Sequence, residues 1–491
     1  MTYHKPRGYH WLRIIINLVK PKLSMQNIGI IGAGFSGTMT AIQLIVHQKE
    51  ELTIHLIDNK QNFNKGVAYN PYSDKHLLNV VAAKMSAFSN EPDHFLNWVM
   101  QQPDFINKER SFVAQTFLPR SIYGKYMTEL FDHYKQVAQQ KGIQLTMHYT
   151  LVKDLNTNPE GIELNLTNGS TLNLNQCVIA TGNQLPRNPR LQDTEIYKSP
   201  HYFQNPWMAD SVKNIQNTRP ILIIGNGLTM VDTVLSLLEE GYNGKIYTLS
   251  PNGFNILPHR HNGLKYNALT DELQEKMTLT DLFTLTKKHI QAVRTYGVSA
   301  EPVIDSLRPY SQKIWRSFTE SEKRVFMNRI RHLWGVARHR IPLNSYDKLQ
   351  QMRINSKLHV ISGEIRAMEE IEGHIEVAFI NKRKNTIECI GVSRVINCTG
   401  PESNIQLLQN SFLTSCLRKG IITQDSLKLG INACPETFHI YNAESKLQES
   451  LFTMGSTLRG ILWESTAVGE LREQAALLAK QLISAHSNVQ T

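Results

Sequence analysis

Two short apolar runs of the chain lead directly into a glycine-rich turn, and each is followed by an apolar face with helical spacing. The first run covers residues 27–31, and its helical pattern continues from about 36 to 48. A further apolar run, 52–58, ends in an acidic residue. Short apolar runs beside glycine-rich turns are typical of buried strands, so the pattern predicts strand, helix and strand in a parallel sheet.

The same order of elements begins again about 190 residues later. The run ILIIG, 221–225, precedes a helical pattern, 229–241, and the strand KIYTLS, 245–250. Each copy continues with alternating strands and closes with a strand that ends in Thr-Gly, at Gly182 in the first copy and at Gly400 in the second. The shared order predicts two domains of one type.

Further patterns complete the first copy. Residues 120–142 have apolar positions at helical spacing and end in glycine, and Asn168-Gly169 between two alternating runs predicts a hairpin. Near the C-terminus, a strand, a turn at Gly455 and a long amphipathic helix from about Glu464 follow one another. These elements are expected to return the chain to the first domain.

The spacing of the glycines indicates which type of ligand the turns bind. The first turn has three glycines and the second has two: Gly32, Gly34 and Gly37, then Gly225 and Gly227. In such a unit the first glycine permits the tight turn, the second admits a pyrophosphate, and the third lets the helix pack on the strand. The helix N-terminus then presents free N–H groups to the phosphates. Asp58 ends the next strand, where a carboxylate binds a ribose diol, so a bound dinucleotide is predicted.

The second turn differs because it has no third glycine. Leu228 and Thr229 follow its second glycine, and Thr229 with Asp232 fits a helix-capping box, which favours a structural role for Asp232. The next strand ends in Ser-Pro-Asn, 250–252, which offers neither the acid typical of NAD sites nor the arginine typical of NADP sites. Arg260 or the basic segment after it can supply a cation, so the choice between NADH and NADPH stays open.

Two dinucleotide sites in one chain are typical of proteins in which a nicotinamide reduces a resident flavin. The predicted fold class is therefore α/β, with two Rossmann-like dinucleotide-binding domains. The order of the elements resembles that of flavoproteins with two dinucleotide-binding domains. This resemblance implies a basic extension, 1–24; an FAD-binding domain, 25–204 and 402–491; and an NAD(P)-binding-like domain, 205–401, with a helical insert, 255–345.

Composition and charge narrow the class of protein. The chain has 491 residues, of which 41% are apolar, and no apolar run approaches the roughly 18 residues of a membrane-spanning helix. The five cysteines form no CxxC pair, which suits a reducing cytoplasm and argues against a redox dithiol. Although the net charge is +11, we interpret the basic zone 316–340 as a solvated helical face near an anionic cofactor, not as a nucleic-acid site. The run 259–261, His-Arg-His, lacks a nearby carboxylate, and no metal is expected.

The first 24 residues contain five basic residues and no acid. They form either a small amphipathic anchor with weak peripheral membrane contact or a loose extension, and translation starts at Met1 or at Met25. They lack the long apolar stretch of a secretory signal. The sequence does not indicate an oligomeric state.

Seven stretches give the chain a specific resemblance, and they span nearly everything after Met25. They are GVAYNPYSDKHLLNVVAAKMSAF (66–88), FLPRSIYGKYM (117–127), FQNPW (203–207), IGNGLTMVD (224–232), HLWGVARHRIP (332–342), VINCTGP (395–401) and LWESTAVGELREQ (462–474). In these stretches the chain resembles a bacterial FAD/NAD(P)-binding family whose few assigned members include FAD-dependent urate hydroxylase and asparagine N-monooxygenase. The resemblance implies an FAD domain interrupted by an NAD(P) domain.

The resemblance also implies roles for individual residues. Those expected at the ADP half of FAD are Gly32, Gly34, Phe35, Ser36, Gly37 and Asp58. Those expected along the ribityl chain or the ring are His76, Asn79, Met85 and Ser86, of which His76 and Asn79 are the catalytic candidates. Those expected to close the FAD site are Thr181, Gly182, Gly455, Trp463 and Glu464, and those expected at NAD(P)H are Gly225, Gly227, Leu228 and Thr229. A loop-ordering hydrogen bond for His76 and core packing for Trp463 are the alternatives.

The implied activity is that of an FAD-dependent, NAD(P)H-using monooxygenase. NAD(P)H would reduce the flavin, O₂ would form a C4a-peroxyflavin, and a small nitrogen-containing metabolite would take the distal oxygen. This chemistry needs no Ser/His/Asp triad, and none stands out in the sequence. The alternatives are a flavin reductase or dehydrogenase with an unknown acceptor, and a non-catalytic flavin- or nucleotide-binding protein.

Overall fold

The computed structural model describes the chain from residue 26 onward, with short gaps. The described ranges are 26–48, 51–215, 219–260, 263–409 and 411–488. The predicted basic extension, 1–24, and the alternative start at Met25 lie outside these ranges. No helix within the ranges combines the length and the apolar character that crossing a membrane requires.

The first unit is built on a parallel sheet of mostly buried strands. Its strands are β1 (Gln26–Ile31), β2 (Leu52–Asp58), β3 (Gln144–Tyr149), β4 (Val152–Asn158), β5 (Gly161–Leu166), β6 (Thr171–Leu174) and β7 (Gln176–Ile179), and its helices are α1 (Phe35–His47), α2 (His94–Met100), α3 (Arg110–Ala114) and α4 (Arg120–Gln140). Because β1 lies between β2 and β7, and all three are parallel, their carboxyl ends meet at one edge of the sheet. Strands β4 to β6 form a separate antiparallel layer that includes the predicted hairpin at Asn168-Gly169.

The second unit repeats this plan. Its strands are β8 (Tyr202–Phe203), β9 (Ile221–Ile224), β10 (Ile246–Ser250), β11 (Leu358–Ile371), β12 (His374–Asn381), β13 (Thr386–Val392) and β14 (Arg394–Asn397), and α5 (Leu228–Glu239) follows β9. Strand β9 lies between β10 and β14, both parallel to it, as β1 lies between β2 and β7. Strand β8 pairs with β14, so the second sheet begins before the boundary expected at 204/205.

A helical insert separates β10 from β11. It contains α6 (Ala268–Asp271), α7 (Leu279–Arg294), α8 (Glu301–Ser306), α9 (Ser311–Ser317), α10 (Glu320–Val325), a π-helical turn (Phe326–Ile330) and α11 (Arg331–Arg338), and α12 (Leu343–Ile354) then leads into β11. Capping boxes begin two of these helices, Thr278 with Asp281 at α7 and Thr319 with Glu322 at α10. The insert is helical, as expected.

The end of the chain returns to the first sheet. The returning elements, which we call the C-terminal return, are α13 (Phe412–Arg418), β15 (His439–Tyr441), β16 (Leu447–Thr453), α14 (Arg459–Leu462) and α15 (Val468–Asn488). Strand β16 pairs in parallel with β7, and α15 packs beside α1 in the apolar core on one face of the sheet. A second core fills the space between the sheet and the β4 to β6 layer. The predicted class, α/β with two Rossmann-like units, is confirmed.

Replacement of Gly37 by alanine should destabilise the first unit. A Cβ at this position would lie 1.8 Å from the carbonyl oxygen of Gly32, so α1 would have to move away from β1. Overpacking of this kind costs about 1–3 kcal/mol, which should lower the midpoint of urea unfolding. Gly469→Ala in α15 is the matched control, because no described atom lies within 4 Å of its added Cβ. Equal midpoints for the two variants would contradict the close packing of α1 on β1.

Candidate functional site

Both glycine turns open into one cleft. Its volume is about 2590 Å³, and its wall includes Gly34, Phe35 and Ser36 from the first turn and 225–229 from the second. Pockets for one drug-sized ligand measure roughly 300–1,000 Å³. The cleft is therefore large enough for more than one such ligand, and it brings the two predicted dinucleotide turns to one space.

The two turns have the same construction. Gly32 has a φ of +103° and Gly225 a φ of +110°. A Cβ on Gly32 would lie 2.3 Å from the carbonyl oxygen of Ala180, and a Cβ on Gly225 would lie 2.4 Å from that of Cys398. Each of these oxygens immediately precedes a Thr-Gly pair, so each turn lies against the strand end that recurs in the sequence.

The first turn meets the physical requirements of a diphosphate site. Gly34 is the N-cap of α1, no side chain caps the helix, and its first turn contains no acid. The N–H groups of that turn can therefore bind an anion in the cleft. Next to the turn, the Thr181 hydroxyl is buried and has no hydrogen-bond partner among the described residues, so it can bind a ligand atom.

Asp58 lies where the sequence predicts, at the carboxyl end of β2 and on the wall of the cleft. Its Oδ2 accepts the backbone N–H of Ala33 at 2.8 Å, and its Oδ1 accepts the backbone N–H of Asn59 at 2.7 Å. The side-chain amide of Asn62 also donates to Oδ1, at 3.2 Å. Because a carboxylate has about four acceptor sites, Asp58 is held in place and can still accept a hydrogen bond from a ribose hydroxyl.

The loop residues expected along the ribityl chain or the ring divide into two pairs. Asn79 and Met85 line the cleft, whereas His76 and Ser86 are buried outside its wall. The His76 Nε2 lies 2.7 Å from the Ser236 hydroxyl of α5, and burial lowers the pKa of the imidazole. The Ser86 hydroxyl lies 2.6 Å from the carbonyl oxygen of Glu91 and orders its own turn. This geometry favours the loop-ordering alternative for His76.

Polar contacts beside the cleft join the two units. Arg120, at the start of α4, pairs with Asp232 of α5 at 3.0 Å, and His259 Nε2 lies 3.1 Å from the carbonyl oxygen of Asn79. The predicted capping box does not form, because α5 begins at Leu228 and Thr229 lies inside its first turn. The Asp232 carboxylate lines the cleft and pairs with the first unit through Arg120.

The C-terminal return closes the first turn. Gly455 has a φ of +79°, and a Cβ there would lie 3.0 Å from the Ser36 hydroxyl, so the two turns are in direct contact. The Gly455 N–H donates to the side chain of Gln474 in α15 at 3.0 Å. Beyond this turn, Ala467 and Val468 bring the N-terminus of α15 to the cleft wall.

The helical insert covers this end of the cleft by packing on the return. Trp315 is buried, its Nε1–H donates to the carbonyl oxygen of Gly460 at 2.8 Å, and its ring stacks on Trp463 at 5.0 Å. Phe326 meets Trp463 edge to face at 5.1 Å. Trp463 thus belongs to an apolar core shared by the insert and the return, which matches the packing alternative, and it also lines the cleft.

Insert residues also hold Glu464, which lines the cleft. Its carboxylate lies 3.3 Å from Arg338 Nε and accepts Trp334 Nε1–H at 3.3 Å, and its carbonyl oxygen accepts from Gln312 at 2.6 Å. These contacts hold Glu464 between α14 and α15, outside either helix. The expectation that the last helix starts near Glu464 is therefore wrong, and α15 begins at Val468.

A cation that the local sequence did not reveal lies at the end of β10 in the second unit. The Asn226 side chain donates to the carbonyl oxygen of Phe254 at 2.9 Å and leaves its buried Oδ1 without a partner beside the second turn. After β10, the carbonyl oxygen of Pro251 accepts from the Lys382 ammonium group at 3.3 Å. Because Lys382 lies 131 residues away in the β12 to β13 hairpin, only pairing across the sheet brings it to this turn.

The thiols are poorly suited to disulfide chemistry. All five cysteines are free, and Cys177, Cys398 and Cys416 are buried. Cys398 lines the cleft, but burial raises the pKa of its thiol to about 12. A thiol in this state lacks the thiolate that attacks a disulfide.

Residues 29–184 match the model of a protein family described as FAD-NAD(P)-binding. The family resemblance predicted from the sequence is confirmed over this segment, which contains the first glycine turn and ends just beyond the first Thr-Gly pair. No curated protein sequence matches the chain.

Solved structures of an N-hydroxylase and of two monooxygenases resemble 94–95% of this chain. The ornithine N-hydroxylase of Kutzneria sp. 744, solved with reduced FAD, NADP⁺ and L-ornithine, has a TM-score of 0.61 and 12% identity, over 95% of this chain and 100% of its own. The L-lysine 6-monooxygenase of Pseudomonas syringae has a TM-score of 0.62 and 13% identity, over 94% and 100%. The cadaverine monooxygenase of Erwinia amylovora, bound to FAD, has a TM-score of 0.61 and 15% identity, over 94% and 95%. At these identities the likeness establishes a shared fold.

Trp315→Leu should release the insert from the C-terminal return. The change removes the stack on Trp463 and the hydrogen bond to Gly460. Replacement of a buried tryptophan by alanine costs about 3–5 kcal/mol, and leucine should recover part of that loss. Limited trypsin digestion should then cut the insert, 255–345, faster than in the unmodified protein. Tyr296→Leu is the matched control, because the Tyr296 side chain in the same insert is 85% exposed. Equal cleavage rates in the two variants would contradict this packing.

Proposed function

We propose that this protein is an FAD-dependent, NAD(P)H-using monooxygenase that hydroxylates a small nitrogen-containing metabolite. The observation that carries the proposal is the single cleft that receives both glycine turns and is covered at one end by the helical insert. A resident flavin and a nicotinamide must meet for hydride to pass between them, and one shared cleft permits this meeting.

The first turn and the C-terminal return provide the FAD site in this proposal. The N-terminus of α1 at Gly34 would hold the diphosphate, Asp58 the ribose, and Thr181 a polar atom near the turn. When bound, FAD supplies the capacity to accept hydride and to react with O₂. The N-terminus of α15 at Val468 would stabilise negative charge on a ligand at its end.

The second turn provides the NAD(P)H site. The N-terminus of α5 lies at Gly227, which has no side chain, and no side chain caps this helix. Asn226 offers its unpartnered amide oxygen beside the turn, and Lys382 places a positive charge at the end of β10. The nicotinamide would enter and leave at this turn, because Gly227 is exposed to solvent.

The overall reaction balances without a further reductant. NAD(P)H, a proton, O₂ and the substrate give NAD(P)⁺, water and the hydroxylated substrate, so two electrons from the nicotinamide reduce one oxygen atom to water. The chain's own contribution is to position the reactants and to exclude water, which the Trp315 and Trp463 cover over the return supports. Binding rather than acid–base catalysis is therefore the main task of these residues.

Two observations favour monooxygenation over disulfide reduction. The enzymes with the same fold described above act on ornithine, lysine and cadaverine, which are all small amines. In this chain the cleft thiol, Cys398, is held protonated by burial. The free cysteines also fit a reducing compartment, which supports a cytoplasmic location.

Aspartate substitutions at equivalent positions of the two turns should separate the two cofactors. Purified protein should be yellow with noncovalent FAD, and Gly34→Asp should remove the colour because its carboxylate would repel the diphosphate. Gly227→Asp should keep the FAD and lose its reduction by NAD(P)H, measured as bleaching of the flavin absorbance under anaerobic conditions. Each variant is the other's control for folding, checked by circular dichroism. Normal FAD content in Gly34→Asp would contradict the FAD site.

Substrate should couple NAD(P)H oxidation to oxygen incorporation. A screen of small amines, amino acids and purines should yield a compound that raises NAD(P)H-driven O₂ consumption and gains one oxygen atom, detected by mass spectrometry. Rapid turnover with an added electron acceptor and no oxygenated product would instead support the reductase. Failure of NAD(P)H to reduce the bound flavin would support the non-catalytic binding protein.

A further inference from the structure

Four arginines line the end of the cleft beneath the insert. They are Arg308, Arg331, Arg338 and Arg459, and we call this end of the cleft the arginine chamber. Two of them already have acidic partners. Arg308 pairs with Glu470 at 3.4 Å, and Arg338 pairs with Glu464 at 3.3 Å. The chamber therefore retains a net positive charge after these pairs form.

The other two arginines have no carboxylate partner among the described residues. Arg331 donates to the ring of His332 at 3.2 Å, while its Nε is buried without a hydrogen-bond partner. Arg459 lies over the ring of Trp463 at 5.3 Å. Burial lowers the pKa of both guanidinium groups. Repulsion by the positive charge of Arg331 lowers the pKa of Arg459 further. Both guanidinium groups are half-buried in one cleft and lack a carboxylate partner among its described residues, so an anion can bind between them.

The backbone is arranged to aim these side chains into the cleft. A π-helical turn, Phe326–Ile330, directly precedes Arg331 and adds one residue to the helix, which rotates all later side chains by about 100°. Trp463 holds φ +54° and ψ −77°, a conformation that is rare and costly for a residue with a side chain. This conformation ends α14 and places the indole ring beneath Arg459.

We propose that the arginine chamber binds an anionic group of the substrate, most simply a carboxylate, between Arg331 and Arg459. The inference rests on the proposed function, because the bound compound is the substrate of that reaction. A planar guanidinium group binds a carboxylate through two parallel hydrogen bonds, and two such groups can share one anion. The substrate class is then a small amine or amide that also carries a carboxylate.

The position of the chamber favours the substrate over the phosphates of the nicotinamide. Arg459 follows the Gly455 turn on the C-terminal return, whose strands belong to the first sheet. Arg331 belongs to the insert. The ribose-sensing turn of the second unit lies instead after β10, where Lys382 contacts Pro251. Glu301 and Asp305 are the acids nearest to Arg308 along the chain. Both form ion pairs with Arg340, which is not one of the four chamber arginines.

Matched ligand pairs test the proposal on the holoprotein without turnover. L-Lysine, L-ornithine and benzoate each carry a carboxylate, and cadaverine, putrescine and benzamide are their counterparts without it. Isothermal titration calorimetry at constant ionic strength should give saturable binding for carboxylates and at least about tenfold weaker binding for their counterparts. Equal affinities within the pairs, or no saturable binding of any carboxylate, would overturn the proposal.

Substitution should assign the binding to the two arginines. Arg331→Gln and Arg459→Gln should each weaken carboxylate binding about 10- to 100-fold, while FAD content and the affinity for NADP⁺ stay unchanged. Arg329→Gln is the matched control, because Arg329 lies in the π-helical turn, is exposed and does not line the cleft. Loss of FAD, weaker NADP⁺ binding, or unchanged carboxylate binding in either variant would overturn the proposal. Reduction of the flavin by NAD(P)H is measured separately, so failure of the proposed function is distinguishable from failure of this inference.

Discussion

The site depends on one steric constraint, the contact between a glycine Cα and the carbonyl oxygen of a neighbouring strand. Gly32 lies against Ala180, and Gly225 lies against Cys398, each at a distance that leaves no room for a side chain. This contact sets where each turn leaves its strand, and so where the following helix begins. The N-terminal N–H groups of α1 and α5 consequently face the cleft, and the two proposed dinucleotide sites depend on that orientation.

Patterns of short range predicted most of the two units. The strands before both turns, the helices after them, the hairpin at Asn168-Gly169 and the position of Asp58 each depend on residues within one element or its neighbour, where period and turn chemistry decide. The end of the chain was harder to predict. Its last helix begins later than the amphipathic pattern indicates, because Arg338 and Trp334 of the insert hold Glu464 outside it.

Roles that depend on tertiary contacts could not be predicted from local sequence. His76 resembles a site residue by its neighbours in the chain, yet the partner that decides its environment is Ser236 of the other unit. The basic zone 316–340 was expected to be a solvated face near an anionic cofactor. The structure divides it, since Arg331 and Arg338 line the cleft whereas Arg329 is exposed away from it. A helix period alone does not give this division, because the π-helical turn changes the register between the two groups.

The Trp315 and Trp463 stack constrains how the two units can move. The chain crosses between the sheets twice, and two crossings alone act as a hinge about which one body can swing relative to the other. The insert is continuous in sequence with the second unit, but it packs on the C-terminal return of the first unit. This packing restricts rotation about the two crossings. Rotation of one whole unit relative to the other would therefore have to break the stack of Trp315 on Trp463.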